Sequence, residues 1–221
     1  TDYCRTGMYP PSGAAFKGNV SWYTINLDLL PYKRWNQLIS ERKLNNLIQV
    51  IKDFANAFVP SGELVKLVDK DLPLLLDSLP SPFNEEIKGI AYVSGVPLGN
   101  QICNFFTVCT SLVAEDTTGK LYHARNLDFG LFLGWDIKNK SWAVTEQLRP
   151  MVANLDFQKN NKTVFKATNF AGYVGLLTGI KPGLFTLTMN ERFSLDGGYI
   201  GKLSGTAVCS VTVYNSNNLT V

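Results

Sequence analysis

Residues 105–129, FTVCTSLVAEDTTGKLYHARNLDFG, constrain the fold of this chain more than any other stretch. Thr107, Val108, Thr110, Leu112 and Val113 are strand formers, and Asp116-Thr117-Thr118-Gly119 carries Asp first and Gly last. That is the chemistry of a type I turn closing a three-residue hairpin loop. Pairing Asp116 with Lys120 then sets the register. Ser111 faces Arg125, Cys109 faces Leu127, and Arg125 lies on the diagonal from Cys109, a Cβ separation of about 7 to 8 Å that a guanidinium spans. Asp128 falls one residue past the partner of Cys109. Arg125 and Asp128 are three apart, which on a regular strand sends them to opposite faces. Either the strand bends after Asn126, or only one of the two reaches the thiol.

A cysteine in a strand is usually packing. Here the same hairpin brings a cation and a carboxylate to the neighbourhood of the thiol, and a nearby cation raises the thiolate fraction that a nucleophile needs. What is missing is a base. His123, the only histidine in the chain, shares a face with Arg125 but is offset from Cys109 by four strand positions. At a rise of ~3.3 Å per residue that is ~13 Å, too far for a Cys-His pair. The remaining base is the α-amine of Cys109 itself, whose pKa near ~7.7 to 8.0 suits the task. It exists only if the Val108-Cys109 bond is cut, which a strained cysteine performs on itself through an N-to-S acyl shift.

The run CTSLVAEDTTGKLYHARNLDFG resembles the nucleophile region of the N-terminal-nucleophile hydrolases related to choloylglycine hydrolase, in the branch formed by the acid ceramidases and the N-acylethanolamine-hydrolysing acid amidases. YPPSG at 9–13, WYTINLDLLPYKRW at 22–35, FVPSG at 58–62, FLGW at 132–135, NLDFQKNNKTVFKA at 154–167, FAGYVG at 170–175 and LTMNERFSLDGGYIG at 187–201 resemble the acid ceramidases in particular. The resemblance implies an α+β fold: a helical N-terminal segment over 1–108, the first part of an αββα sandwich over 109–201, and a tail, 202–221, that does not follow the family. It makes Cys109 the nucleophile after cleavage at Val108-Cys109, with Asp128 holding the α-amine, Arg125 near the substrate carbonyl, and Glu191 a further active-site residue. Without the resemblance Glu191 reads as a solvated carboxylate at a strand end.

The resemblance further implies hydrolysis of ceramide or a related N-acyl lipid at a membrane surface, with a saposin-type lipid-presenting activator. It implies no cofactor, no metal, α and β subunits from one precursor, and a lysosomal or secreted location. An amidase for N-acylethanolamines is the sister reading. After Gly201 the tail carries no counterpart of the family's oxyanion asparagine, so the chain reads as truncated there, and an inactive lipid-binding or subunit-interaction fragment is the reading from another class. Loss of one oxyanion donor costs about 10² to 10³ in rate.

At 221 residues and 45% hydrophobic, the chain can bury a sizeable core. A net charge of +3, without a basic run, argues against nucleic acid. No apolar run reaches ~18 residues. The start at Thr1-Asp2, without methionine or an apolar leader, reads as a processed secretory protein. Glycosylation sequons stand at Asn19, Asn139, Asn161 and Asn218, where this composition alone would give roughly two or three. If Cys109 stays free, Cys4, Cys103 and Cys209 are an odd set for disulfides. The resemblance implies that Cys4 is bridged to a part of the relatives' chain without counterpart here, so Cys4 is orphaned or Cys209 substitutes.

Apolar residues recur at helical spacing from Tyr32 to Phe58. A second helix begins at Leu64, a leucine-rich stretch spans Lys70 to Pro80, and Pro82 is placed to start another helix through Ile90. The leucine stripe is core or a lipid-facing patch. WYTINLDL near the N-terminus reads as a short strand. Strands are expected over 105–115, 120–128, 141–147, 151–157, 163–167, 171–178 and 184–190.

Overall fold

Alternation of apolar and polar residues along VANLDFQK builds the centre of the sheet: Ala153, Leu155 and Phe157 are buried, while Asn154 and Asp156 turn the other way. The computed structural model describes residues 19–42, 76, 79–95, 107–129, 135–136, 141–142, 148–191 and 209–215. In it the strands are β1 (Trp22–Asn26), β2 (Thr107–Glu115), β3 (Leu121–Phe129), β4 (Trp135–Asp136), β5 (Ser141–Trp142), β6 (Val152–Lys159), β7 (Lys162–Phe170), β8 (Thr178–Lys181), β9 (Phe185–Glu191) and β10 (Cys209–Asn215). Two helices are described, α1 (Asn36–Arg42) and α2 (Phe83–Ser94), with 3-10 turns at Pro31–Lys33 and Arg149–Met151.

The six-stranded sheet has the order β1-β6-β7-β8-β9-β10. β1 runs parallel to β6 and every other pairing in it is antiparallel. The tight turn between β6 and β7 places Asn160 and Asn161 at φ 50° and 57°, the type I′ geometry that asparagine tolerates. On one face Ile25, Leu155, Phe157 and Ala167 meet Trp35, Leu38 and Ile39 of the α1 region and Ile90 of α2 in a single core. The Trp35 ring stands edge-on to Phe157 at 6.0 Å, and Phe157 stacks on Phe165 at 4.2 Å.

The opposite face is polar. Register partners share a face, so Asn154, Thr168, Thr178 and Thr188 form one row across β6 to β9. The hairpin of β2 and β3 lies over the β9 end of this face, where Ser111 meets Thr188. Helices, sheet and hairpin therefore form three successive layers, which agrees with the mixed α+β class and with part of the layered sandwich expected from the sequence.

Three readings of the sequence are corrected. Residues 171–178 are not a strand: Gly172 and Gly175 take φ of 92° and 133°, and Asn169 Nδ2 donates to the carbonyls of Tyr173 and Gly175. These bonds hold a loop until β8 begins at Thr178. The first turn of the helix expected from Tyr32 is a separate 3-10 turn, and α1 starts only at Asn36. The expected strands end at residue 190, whereas Cys209–Asn215 form a further one, β10, which covers the edge of β9. The readings over 43–75, including the helix start at Leu64 and most of the leucine stripe, and over 143–147 lie outside the described residues.

Candidate active site

The loop that closes the hairpin is built around one carboxylate. Asp116 Oδ1 accepts the Thr118 amide at 2.8 Å, the Thr118 hydroxyl at 2.6 Å and the Lys120 amide at 3.0 Å, while Oδ2 accepts the Tyr122 hydroxyl at 3.1 Å. Gly119 N donates to Asp116 O at 3.0 Å, and Gly119 sits at φ 83°. The Thr118 bonds, with those from Lys120 and Tyr122, pull the Asp116 pKa down to about 2.

From this loop the register runs without a shift to Thr107 opposite Phe129. Ser111 pairs with Arg125, Cys109 with Leu127 and Val108 with Asp128, as the turn chemistry requires. The strand does not bend after Asn126, so of the two alternatives posed by the spacing, positions 125 and 128 belong to opposite alternating sets. Cys109, Asp128 and Glu191 are placed here by backbone register alone. Val108 and Cys109 both lie inside β2, and Glu191 ends β9, where it pairs with Cys209 of β10.

The hairpin has a packed face and an open one. Thr110, Leu112, Ala114, Tyr122, Ala124 and Asn126 are exposed, whereas Ser111, Val113, His123 and Arg125 are half-buried. On the packed side Arg125 Nη2 donates to Met189 O at 3.0 Å. His123 Nδ1 is 2.6 Å from Thr186 Oγ1, and its Nε2 is 3.3 Å from Thr188 Oγ1. Burial lowers the His123 pKa. The histidine is thus spent on β9, four positions along β3 from the partner of Cys109, in keeping with the distance argument against a Cys-His pair.

Sequence reasoning missed Thr186, Thr188 and Asn190 as neighbours of the hairpin. The signal was slight: an alternating polar set, Thr-x-Thr-x-Asn, at 186, 188 and 190. Of the sequons, Asn19 and Asn161 are exposed, Asn161 at the tip of the β6-β7 hairpin, while Asn139 and Asn218 lie outside the described residues, as do Cys4 and Cys103. Among the described residues no three His, Cys, Asp or Glu side chains gather to hold a metal ion, and no helix is long and apolar enough to cross a membrane.

Comparison with known proteins divides the chain near the same place. A family model described as the beta subunit of N-acylethanolamine-hydrolyzing acid amidase matches residues 18–79. One described as linear amide C-N hydrolases, choloylglycine hydrolase family, matches residues 109–210 and so begins on Cys109. Acid ceramidase of Rattus norvegicus is 58% identical over 92% of this chain and 53% of its own length, and that of Homo sapiens is 57% identical over the same shares. The chain spans about half the length of these curated relatives. Among solved structures, the Caenorhabditis elegans N-acylethanolamine-hydrolyzing acid amidase ortholog is 32% identical, with a TM-score of 0.31 over 42% of this chain and 33% of that one. Identity sustained over nine-tenths of its length makes the chain similar to the acid ceramidases, and its residues 109–210 match the choloylglycine hydrolase family of linear amide C-N hydrolases.

Proposed function

We propose that the chain carries the nucleophile half of an N-terminal-nucleophile cysteine amidohydrolase that splits N-acylsphingosine into sphingosine and a fatty acid. The Cys109 thiol first attacks the Val108 carbonyl, the Val108-Cys109 amide bond breaks to free the α-amine of Cys109, and water hydrolyses the resulting thioester to free the thiol. That amine takes the thiol proton when Cys109 attacks the substrate amide and returns it to the leaving amine. A second water releases the fatty acid from the thioester. Arg125, in the same alternating set as Cys109, faces the substrate carbonyl, Asp128, in the opposite set beside Val108, holds the backbone α-amine freed by the cut, and Glu191 completes the set.

The observation that carries this reading is the hairpin register: Cys109 lies opposite Leu127 and Arg125 opposite Ser111, with the packed face against the strand that ends in Glu191. The family match that starts on residue 109 and the names of the relatives support it. An amidase for N-acylethanolamines is the second reading, favoured by the match over residues 18–79. The enzyme works in lysosomes at a lipid surface with a saposin-type activator, and exposed Leu29, Leu30 and Tyr32 suit that contact. Asn19 and Asn161 carry glycans, Asn139 and Asn218 being the other candidates, and two of Cys4, Cys103 and Cys209 supply a disulfide.

Incubation at acid pH followed by intact-mass measurement tests the reading. Fragments 1–108 and 109–221 are expected, with Cys109→Ala left whole, and the processed protein should turn over N-acylsphingosine faster than an N-acylethanolamine. Cutting of the alanine variant at the same bond would refute self-processing, and a reversed substrate order would favour the sister enzyme.

A further inference from the structure

Between the hairpin and the sheet runs a continuous hydrogen-bond chain that no step of the proposed reaction uses. Asn190 Nδ2 donates to Ser111 Oγ at 3.1 Å, Ser111 Oγ lies 2.6 Å from Thr188 Oγ1, Thr188 Oγ1 lies 3.3 Å from His123 Nε2, and His123 Nδ1 lies 2.6 Å from Thr186 Oγ1. An amide nitrogen only donates, so Ser111 Oγ accepts from Asn190, and one ordering of the remaining hydrogens satisfies every group. Ser111 O–H points to Thr188, Thr188 O–H to Nε2, and Nδ1–H to Thr186. This assignment gives every group a partner with a neutral imidazole, and Ser111 Oγ keeps Asn190 Oδ1 at 3.3 Å as a weaker alternative. The lowered pKa of His123 favours the same neutral form.

Placement gives the chain its meaning. Ser111 stands two positions after Cys109 on β2, and Asn190 stands one position before Glu191 on β9. Thr188, 1% exposed, is one of the few buried polar residues among those described, and burying its hydroxyl would be costly without the two contacts it makes there. Its hydroxyl is the central link, held by Ser111 from β2 and His123 from β3. A methyl in its place would leave Ser111 and His123 facing an apolar group.

We infer that Thr188 and Ser111 are positioning residues, which lock the nucleophile-bearing strand against the Glu191-bearing strand and so set the geometry for both self-cleavage and turnover. This rests on the hydrolase reading above. Neither residue touches substrate. Their effect passes through the separation and tilt of two backbones, and a displacement of about 1 Å at a reacting centre can cost ~100-fold in rate.

Thr188→Val keeps the volume and removes the hydroxyl, Thr188→Ser keeps the hydroxyl, and Ser111→Ala cuts the adjacent link. Each full-length chain is followed at acid pH for the rate of cleavage at Val108-Cys109 by intact mass, beside the unaltered chain and Cys109→Ala. Thermal transitions are measured in the uncut Cys109→Ala background. Cleavage by Thr188→Val and Ser111→Ala should slow about 10- to 100-fold, and Thr188→Ser should return it to near the unaltered rate although its thermal transition need not recover. Cleavage of Thr188→Val at the unaltered rate, or a Thr188→Ser rate no better than that of Thr188→Val, would overturn the inference. If Thr188→Val has no thermal transition, Ser111→Ala decides by the same rate criterion. An unaltered chain that is never cut brings down the hydrolase reading, and this inference with it, whereas normal cutting of both unaltered and valine chains overturns the inference alone.

Discussion

The indole N–H of Trp35 donates to Glu86 Oε2 at 2.8 Å, and the other carboxylate oxygen takes Arg34 Nη1 at the same distance. Two neighbouring residues before α1 are thus tied through one buried carboxylate to the first turns of α2, and Arg34 spends its other nitrogens on the carbonyls of Leu27 and Leu29. Removing one partner of a buried ion pair strands the other. Glu86→Ala should cost about 3 kcal/mol in urea unfolding followed by tryptophan fluorescence, with Glu86→Gln losing less because an amide oxygen still accepts. Equal stability of the alanine variant and the unaltered chain would mean that Arg34 and Trp35 find solvent instead.

Gly89 of α2 lies against the backbone of the 3-10 turn. A Cβ there would sit 2.6 Å from Tyr32 C and 2.7 Å from Tyr32 Cα, and closer still to its carbonyl oxygen. Helix propensity alone favours alanine by about 1 kcal/mol. Overpacking against backbone costs about 1 to 3 kcal/mol or more, and it wins here. Gly89→Ala should therefore lower the thermal midpoint, while a substitution at exposed Tyr92 on the same helix should not. A stabilised Gly89→Ala would show that α2 can move off the turn.

Acid pH leaves the hairpin loop intact. Asp116 ionises in the fold at about 2, against 3.8 for the ordinary carboxyl, so its contribution is fully present above pH 4 and is lost only as pH falls through 2. Carboxyl chemical shifts should give a midpoint near 2, and the Thr118 and Lys120 amides should stay protected from exchange at pH 4 to 5. A midpoint near 3.8 would contradict the four bonds at this carboxylate.

His123 acts in the opposite sense. Its folded pKa is depressed by burial from the ordinary 6.5, so below that pH the unfolded chain takes up a proton that the folded chain resists. Stability is unaffected above this range, falls as pH drops below 6.5, and reaches its full loss once pH passes the folded pKa. Urea unfolding at pH 7.5 and pH 5 should show this loss, and His123→Gln should flatten it. An unchanged slope in the glutamine variant would assign the pH dependence elsewhere.

Local chemistry made the hairpin legible: an Asp-first, Gly-last loop fixed its register, and with it the pairing of Ser111 with Arg125, because nothing distant decides a three-residue turn. Helix α2 was equally open to reading through Pro82 at its start. The stretch from Ala171 to Leu177 misled because its apolar residues outweighed two glycines whose left-handed backbone ends β7. β10 escaped notice because a strand of Thr, Val and Ser declares itself only beside an edge that needs it. The Ser111-Thr188 contact joins residues 77 apart, and no spacing rule reaches that far.

β1 precedes the proposed cut and β6 follows it, yet they pair over five positions and share one core, in which Ile25 and Trp35 meet Leu155 and Phe157. Before cleavage this association is unimolecular and indifferent to dilution. Afterwards the same contacts hold two separate chains, and each tenfold dilution removes about 1.4 kcal/mol from their joint stability. Maturation would then exchange a fixed stability for one that depends on how crowded the compartment is.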